Sequence, residues 1–255
     1  MSQQSESRYL EQYVHSGEAR IWTCISGTGL PFLMFNGGPG CDDYLAPVAN
    51  LIDDVCQVIR FEPRGCGRSD WDGNYSVQTL VEDAECVRQA YGLDACIVGG
   101  HSFGPDLALA YALRFPRRVL GLIGIAGGRI VNDRTWHTTY RQNLSTIGED
   151  LGGVTFTVDP NVNAECTRSW REYIKQPTLL HELAKFEFPA TFIYGSEDIR
   201  PDWPTRQLAS LLPYGQFVEI DGAAHTIWLT HACELRNELR IAIKRIQHHH
   251  EAPSD

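Results

Sequence analysis

The sequence lacks the apolar segments that membrane insertion or export would require. It has no apolar run of roughly 18 residues, the length that suggests a membrane-spanning helix. Residues 1–7 contain no basic region followed by an apolar one, which is the pattern of a secretory signal. We therefore expect a soluble cytoplasmic protein that does not bind membranes.

Positive charge and paired cysteines are also scarce. The chain has 22 Lys and Arg residues against 32 Asp and Glu residues, and its net charge of −10 disfavours nucleic acid as a partner. None of the eight cysteines forms a C-x-x-C pair, so neither a zinc site nor a disulfide framework is indicated. We interpret His248, His249 and His250 as a frayed polar terminus rather than a metal site. No metal or cofactor is expected.

What the chain does contain is an alternation of strands and helices. Its 255 residues, 43% of them hydrophobic, can bury the core of one α/β domain. Short β-rich runs predict strands at residues 12–14, 19–25, 31–35, 55–61, 95–98, 119–125, 190–194 and 216–220. The first two runs predict a hairpin around Ser16 and Gly17, and Ser76 is predicted to cap a helix over residues 77–90. The alternation predicts a mostly parallel eight-stranded sheet with helices on both faces.

One interval breaks this alternation. Residues 129–188 are polar and rich in aromatic side chains, and they contain no clear strand. We predict that this interval is a small helical cap inserted over the edge of the sheet. The α/β core domain would then comprise residues 1–128 and 189–255.

The most informative motif is G-H-S-F-G at residues 100–104, directly after the apolar run at 95–98. When a strand ends in G-x-S-x-G and turns at once into a helix, its serine is held in a strained corner. The glycines are needed because a Cβ would collide with a neighbouring strand or helix. The motif alone also fits an ordinary strand–helix turn. Because residues 105–113 read as a buried helix that begins with proline, the context favours Ser102 as a nucleophile.

A serine nucleophile needs a base to take its proton. His225 is the candidate, because it follows the last predicted strand and so lies at the carboxyl edge of the sheet. His231 is expected inside the final helix and is the weaker candidate. His101 is expected to face away from the nucleophile and to pack or hydrogen-bond locally.

The base in turn needs an acid that orients it. Asp198 follows a predicted strand and is the candidate, with Glu197 and Asp202 as alternatives. The chain order Ser102, Asp198, His225 is that of α/β-hydrolases and excludes the orders of chymotrypsin and subtilisin.

Acyl transfer also needs donors for the developing oxyanion. The run N-G-G-P-G at residues 36–40 follows the strand that ends at Phe35, and its glycines allow close approach of backbone N–H groups. We expect the N–H groups of Gly38 and Phe103 to form the oxyanion hole.

Together these motifs resemble the α/β-hydrolase fold over nearly the whole chain and, within it, the proline iminopeptidase branch. That branch carries H-G-G-P-G and, after the next strand, D-Q-R-G-C-G-R-S. This chain has N-G-G-P-G at 36–40 and E-P-R-G-C-G-R-S at 62–69. We interpret Arg64 and Arg68 of the second motif as loop-organising residues.

The resemblance implies roles for four residues of this chain. Ser102, Asp198 and His225 fall on the triad of the branch, and Gly38 falls on its oxyanion glycine. It also implies an enzyme that works without a metal or cofactor.

The departures from the branch concern the substrate. Asn36 replaces the leading His, and the elbow G-G-S-W-G of the branch is here G-H-S-F-G, as in many esterases. The insertion is also shorter than the cap that presents acidic side chains to the free amine of an iminopeptidase substrate. Acidic residues in or near the insertion, none of which can be matched, are Glu149, Asp150, Glu165, Glu172, Glu182 and Glu187.

Aromatic residues of the insertion either line an apolar acyl pocket or pack the cap. They are Trp136, Tyr140, Phe156, Trp170 and Tyr173. As substrate-binding residues we predict Asn36, Trp136, Tyr140 and Trp170.

We therefore predict a serine hydrolase that cleaves an ester, or an amide, of a small molecule through an acyl-enzyme. Two alternatives stay open. One is a proline iminopeptidase-type aminopeptidase. The other, of a different class, is a ligand receptor or signalling protein that retains a hydrolase triad.

Overall fold

The computed structural model describes residues 9–149 and 151–251 of the chain. The expectation drawn from residues 1–7 and the candidate carboxylate of Asp150 therefore lie outside the described residues. Within them, the strands are β1 (Tyr9–Ser16), β2 (Ala19–Ser26), β3 (Leu30–Phe35), β4 (Cys56–Phe61), β5 (Cys96–His101), β6 (Val119–Ile125), β7 (Ala190–Gly195) and β8 (Gly215–Ile220).

The helices lie between these strands and after the last one. They are α1 (Ala46–Ala49), α2 (Val77–Ala90), α3 (Gly104–Arg114), α4 (Arg134–Thr146), α5 (Pro160–Tyr173), α6 (Leu179–Leu183), α7 (Trp203–Leu211) and α8 (Ala232–Glu251). None of the helices in the described part of the chain is both long enough and apolar enough to cross a membrane.

The strands form a single sheet in the order β1-β2-β4-β3-β5-β6-β7-β8. β2 pairs with β1 and β4 in antiparallel fashion, while the other neighbours pair in parallel. The prediction of a mostly parallel eight-stranded sheet is confirmed, as is the hairpin of β1 and β2.

Both faces of the sheet are covered, which is why its central strands read as continuous apolar runs. Successive side chains of a strand point to opposite faces. Leu33 and Phe35 of β3 accordingly lie in one buried cluster with residues of α2 and α3. Phe32 and Met34 lie in a second buried cluster with residues of α1 and α8.

The predicted helix over residues 77–90 is confirmed together with its cap. Ser76 has an extended backbone, and its hydroxyl accepts a hydrogen bond from the backbone N–H of Thr79 at 3.2 Å. This bond satisfies one of the donors that a helix start leaves free.

The two arginines interpreted as loop-organising hold the loop that follows β4. The Arg64 guanidinium donates to Asp83 of α2, with Nε 2.9 Å from Oδ2. Arg68 donates to Glu62, with Nη2 2.6 Å from Oε1, and lies over the ring of Trp22. These contacts fix the loop against α2 and β2, in agreement with the interpretation.

Between β6 and β7 the chain forms the helices α4, α5 and α6, and its described residues there belong to no strand. Their helical character agrees with the expectation for residues 129–188. The division of the chain into a core domain and a cap stays a prediction.

The interpretation of the histidine run as a frayed terminus is wrong. His248, His249 and His250 belong to α8, which continues to Glu251. The ring Nε2 atoms of His249 and His250 each lie 2.7 Å from a backbone carbonyl oxygen, of Glu187 and Leu120 respectively. These bonds fasten the end of α8 to the core. In the described residues no group of three metal-ligating side chains is assembled.

The carboxyl ends of five parallel strands bring the candidate site residues to one edge of the sheet. Gly38 follows β3, Ser102 follows β5, Arg129 follows β6, Asp198 follows β7 and His225 follows β8. This edge is where open α/β sheets bind their ligands.

The turn from β5 into α3 depends on close backbone contact. A Cβ at Gly104 would lie 2.2 Å from the carbonyl oxygen of Phe35 in β3. Helix propensity alone would make Gly104→Ala stabilising by about 1 kcal/mol. We expect the collision to prevail and Gly104→Ala to lower the free energy of unfolding by about 2 kcal/mol in urea titrations.

Gly17→Ala is the control, because Gly17 has a φ of 61° and open space around its Cβ position. This substitution tests backbone strain without a collision, and we expect it to cost about 1 kcal/mol. A Gly104→Ala protein as stable as the wild type would contradict the close packing of α3 on β3.

Candidate active site

Ser102 occupies the strained corner between β5 and α3. Its φ is 60°, in the left-handed region that residues with a side chain rarely adopt. Two neighbours hold it there. Its N–H donates to the carbonyl of Ile125 at 2.9 Å, and a Cβ on Gly127 would lie only 1.8 Å from the Ser102 carbonyl oxygen. The hydroxyl is thereby fixed at the carboxyl edge of the sheet.

The predicted base and acid are hydrogen-bonded to each other. His225 Nδ1 lies 2.6 Å from Asp198 Oδ2, and the side chain of Asp198 is fully buried. Burial opposes ionisation of this carboxyl, but His225 and then Arg200 outweigh burial and lower the pKa of Asp198. The carboxylate therefore fixes the orientation of the imidazole and leaves Nε2 for another partner.

Ser102 and His225 line the same cavity, of about 210 Å³, together with Gly38. Among the described residues no hydrogen bond joins the Ser102 hydroxyl to the His225 ring. In enzymes without substrate, such bonds are often long or poorly aligned and tighten only in the complex.

The predicted oxyanion donors also lie beside Ser102. Gly38 and Phe103 line a second cavity with Ser102, of about 290 Å³, that also contains Trp136 and Tyr140. Gly38 has a φ of 110°, a backbone conformation that favours glycine, so the sequence N-G-G-P-G is suited to this loop.

We name each of the two cavities after a residue that lines it and not the other. The His225 cavity contains His225, Glu149 and the apolar side chains of Leu151, Val154, Phe156 and Val158. The Trp136 cavity contains Trp136, Tyr140, Arg129 and Asp106. Gly38, Ser102 and Arg200 line both, so the candidate nucleophile stands between them.

A chain of hydrogen bonds joins the loops that carry these residues. The N–H of Gly37 donates to the Tyr44 hydroxyl at 3.0 Å, and this hydroxyl lies 2.7 Å from His101 Nδ1. His101 Nε2 lies 3.0 Å from the carbonyl oxygen of His225. A carbonyl can only accept, so His101 carries its proton on Nε2 and accepts at Nδ1 from Tyr44. Burial, and then His225, lower the pKa of His101 well below its usual value, which keeps it neutral.

His101 forms hydrogen bonds, as expected, but the expectation that they are local and that the ring faces away from the nucleophile is wrong. Its partners Tyr44 and His225 lie 57 and 124 positions away, and His101 lines the same cavity as Ser102. Tyr44 was not predicted as part of the site, because nothing in the sequence distinguishes a functional tyrosine in a loop from any other. His231 precedes α8 instead of lying inside it, and its Nδ1 contacts Thr230 at 2.8 Å.

Two of the four predicted substrate-binding residues line the Trp136 cavity, namely Trp136 and Tyr140. The other two belong to the lining of neither cavity. Asn36 is buried, and its amide donates to the carbonyl of Phe61 at 3.0 Å. Trp170 is buried against Phe103, with ring centroids 5.8 Å apart, because its position on α5 faces the core.

Arg200 is a charged residue of the site that was not predicted from the sequence. Its backbone N–H donates to Asp198 Oδ1 at 2.9 Å, and its guanidinium contacts Asp198 and forms an ion pair with Glu149. Its position two residues after the predicted acid was the available signal. The alternative acids lie elsewhere, since Glu197 is exposed and Asp202 pairs with Arg206.

The described acidic side chains of the insertion differ in their relation to the cavities. Glu149 alone among Glu149, Glu165, Glu172, Glu182 and Glu187 lines a cavity with Ser102. Glu172 and Glu182 are exposed and pair with Lys175 and Lys185. Glu165 accepts a hydrogen bond from the N–H of Tyr75.

Comparison with known proteins agrees with this fold. A family model described as the alpha/beta hydrolase fold matches residues 31–155, which include Ser102. The chain has the fold of the α/β-hydrolase superfamily. This is a family of hydrolase enzymes.

Within the superfamily, the chain resembles the proline iminopeptidase branch. It is 36% identical to the proline iminopeptidase of Saccharolobus solfataricus over 108 residues, 40% of this chain and 35% of that protein. It is 35% identical to that of Neisseria gonorrhoeae over 111 residues, 37% of this chain and 32% of that protein. The matched segment thus spans about a third of the length of these relatives.

A solved structure extends the similarity of fold to almost the whole chain. A thermophilic esterase from Thermogutta terrifontis superimposes with a TM-score of 0.73 over 94% of this chain and 99% of that chain. The two sequences are 18% identical, so the likeness concerns the fold alone.

The contribution of the Tyr44 hydrogen bonds to the stability of the fold can be tested by mutation. Tyr44→Phe leaves the Gly37 N–H and His101 Nδ1 without their partner in a buried site. We expect the free energy of unfolding to fall by about 2 kcal/mol, the cost of unpaired buried polar groups. Chemical denaturation measures it. Tyr13→Phe, at an exposed position of β1, is the matched control and should change stability by less than about 0.5 kcal/mol. Equal losses of stability in Tyr44→Phe and Tyr13→Phe would show that the hydrogen bonds of Tyr44 do not stabilise the fold.

Proposed function

We propose that this hydrolase cleaves a carboxylic ester of a small molecule through a covalent acyl-enzyme. The observation that carries the proposal is the alignment at one edge of the sheet. Ser102, at a positive φ, shares a cavity with His225, whose Nδ1 is hydrogen-bonded to the buried Asp198. Nucleophile, base and orienting acid in this arrangement support acyl transfer.

In the proposed mechanism, Ser102 Oγ attacks the ester carbonyl carbon while His225 Nε2 takes its proton. Asp198 stabilises the imidazolium. The N–H groups of Gly38 and Phe103 donate to the oxygen that becomes negative. Collapse of this tetrahedral intermediate breaks the bond to the alcohol oxygen, which receives the proton from His225. Water, deprotonated by His225, then attacks the acyl-enzyme and releases the acid and free Ser102.

The charges in the two cavities favour an ester over an aminoacyl substrate. An aminopeptidase must bind a protonated amine, which in a partly desolvated pocket requires an available carboxylate. The described linings contain two carboxyl groups, Glu149 and Asp106. Glu149 is already paired with Arg200, and burial raises the pKa of Asp106 to about 7. Glu149 is therefore occupied, and the negative charge that Asp106 could offer to an amine is reduced at neutral pH.

The first test of this proposal is the triad. We expect Ser102→Ala to lower kcat on short-chain p-nitrophenyl esters by on the order of 10³-fold or more, with His225→Ala similarly damaging and Asp198→Asn less so. A fluorophosphonate should add one phosphonyl group to Ser102, with loss of fluoride, and none to the Ser102→Ala protein. The controls are Ser210→Ala and His231→Ala. An inactive His231→Ala protein beside an active His225→Ala protein would overturn the assigned base.

The second test separates the esterase from the aminopeptidase. We expect kcat/KM for short-chain acyl esters to exceed that for prolyl-naphthylamide at least ~10-fold, about 1.4 kcal/mol of transition-state stabilisation. Both are measured under multiple turnover, which also separates an enzyme from a receptor that retains the triad. Efficient cleavage of prolyl-naphthylamide that is lost in Asp106→Asn or in Glu149→Gln but kept in Glu172→Gln would restore the aminopeptidase.

A further inference from the structure

Arg129 introduces a positive charge into the Trp136 cavity beside Ser102. It follows β6, directly after Gly127 and Gly128, and its guanidinium carbon lies 3.7 Å from the centroid of the Trp136 ring. Its Nη1 atom is buried and has no hydrogen-bond partner within the part of the chain that the structure describes. A charged donor is therefore held at this cavity without a protein acceptor for that atom.

Other buried or partly buried arginines of this protein are compensated differently. Four of them form an ion pair with a carboxylate side chain, namely Arg60 with Asp43, Arg64 with Asp83, Arg88 with Glu85 and Arg200 with Glu149. The partly buried Arg245 instead donates to the carbonyl oxygens of Ala190 and Tyr214. No such pair is formed by Arg129 among the described residues. Burial is costly for an unpaired charge, and the contact with Trp136 offsets only part of that cost.

The carboxyl group nearest to Arg129 does not fill this role. Asp106 Oδ1 accepts the backbone N–H of Arg129 at 2.5 Å, so this oxygen bonds the main chain and not the guanidinium. Burial raises the pKa of Asp106 to about 7, so this carboxyl carries less negative charge at neutral pH than an exposed one does. The positive charge of Arg129 is left for an anionic ligand.

The geometry also assigns a side of the substrate to this charge. His225 must reach the leaving alcohol to protonate it, and His225 lines the other cavity. The alcohol part of an ester therefore occupies the His225 cavity, and the acyl part occupies the Trp136 cavity, with the carbonyl at Ser102 between them. Arg200 lines both cavities, but Asp198 and Glu149 engage its guanidinium.

We propose that the acyl group of the substrate carries a second carboxylate, which Arg129 binds, so that the preferred substrates are half-esters of short dicarboxylic acids. This inference rests on the proposed ester hydrolysis and specifies its substrate class. A guanidinium donates to both oxygens of a carboxylate, which gives a stronger and more directional bond than a neutral acceptor provides. The cavity of about 290 Å³ suits a short acyl chain.

The experiment compares two isosteric esters that differ in charge, monoethyl succinate and ethyl succinamate. The wild-type enzyme should hydrolyse monoethyl succinate with a kcat/KM at least ~10-fold higher. Arg129→Gln should remove this preference while changing kcat/KM for ethyl succinamate by less than about threefold. Arg129→Lys, which keeps the charge but loses the two-pronged donor, should retain part of the preference. The control is Arg117→Gln, which removes the same charge at an exposed position far from this cavity's lining.

A binding measurement makes the inference independent of turnover. Succinate should bind to the Ser102→Ala protein in calorimetry. Adding Arg129→Gln should raise the dissociation constant for succinate at least ~10-fold. Thermal unfolding of each variant shows that the fold is retained.

The outcomes separate this inference from the proposed function. Equal kcat/KM for the two esters in the wild type, or a preference unchanged in Arg129→Gln, would overturn the anionic acyl group and leave ester hydrolysis standing. Absence of ester turnover and of fluorophosphonate labelling would instead contradict the proposed function. In that case succinate binding that does not depend on Arg129 would also overturn the anion site.

Discussion

The arrangement of the site depends on one buried chain of hydrogen bonds. Tyr44 and His101 connect the N–H of Gly37, in the loop of the proposed oxyanion donor, to the carbonyl of His225, in the loop of the proposed base. His101 also directly precedes Ser102, so its position is linked to that of the nucleophile. The side chains of Tyr44 and His101 thus hold the loops after β3, β5 and β8 in fixed positions relative to one another. Such a network is effective only while each member is satisfied, because an unpaired polar group in a dry site is costly.

A second set of contacts connects the catalytic edge to the helical segment above it. Arg200 contacts Asp198 on one side and Glu149 on the other, and its pKa stays raised despite its burial. The charge of Arg200 favours the ionised form of Asp198. It also pairs with Glu149, which leaves the His225 cavity without a carboxylate free of an ion pair among its described residues. The same guanidinium therefore bears on the proposed base through Asp198 and on the charge of the His225 cavity through Glu149.

The sequence was sufficient for the sheet and for the loops that carry the proposed triad. Continuous apolar runs and the G-x-S-x-G turn identify parallel strands whose carboxyl ends meet, and this brings Ser102, Asp198 and His225 together. The sequence did not predict that Trp170 would be buried in the core instead of binding substrate, because periodicity does not tell which face of a helix in the insertion is buried. It also could not reveal that the imidazoles of His249 and His250 would find carbonyl acceptors 2.7 Å away. Such contacts depend on tertiary packing between distant segments.

Residues that would select the substrate lie at the same edge of the sheet as residues that would act on it. Arg200 is two positions from Asp198, and Arg129 follows Gly127, whose missing Cβ lets the Ser102 carbonyl approach. Because the strands fix where each loop starts, we expect a substitution at Arg129 to change the charge of the Trp136 cavity without moving Ser102. A fold of this kind can therefore keep one chemistry while its substrates change. Similarity over a third of a relative's length consequently transfers the fold of the nucleophile turn, whereas the charge preference has to be read from the cavity itself.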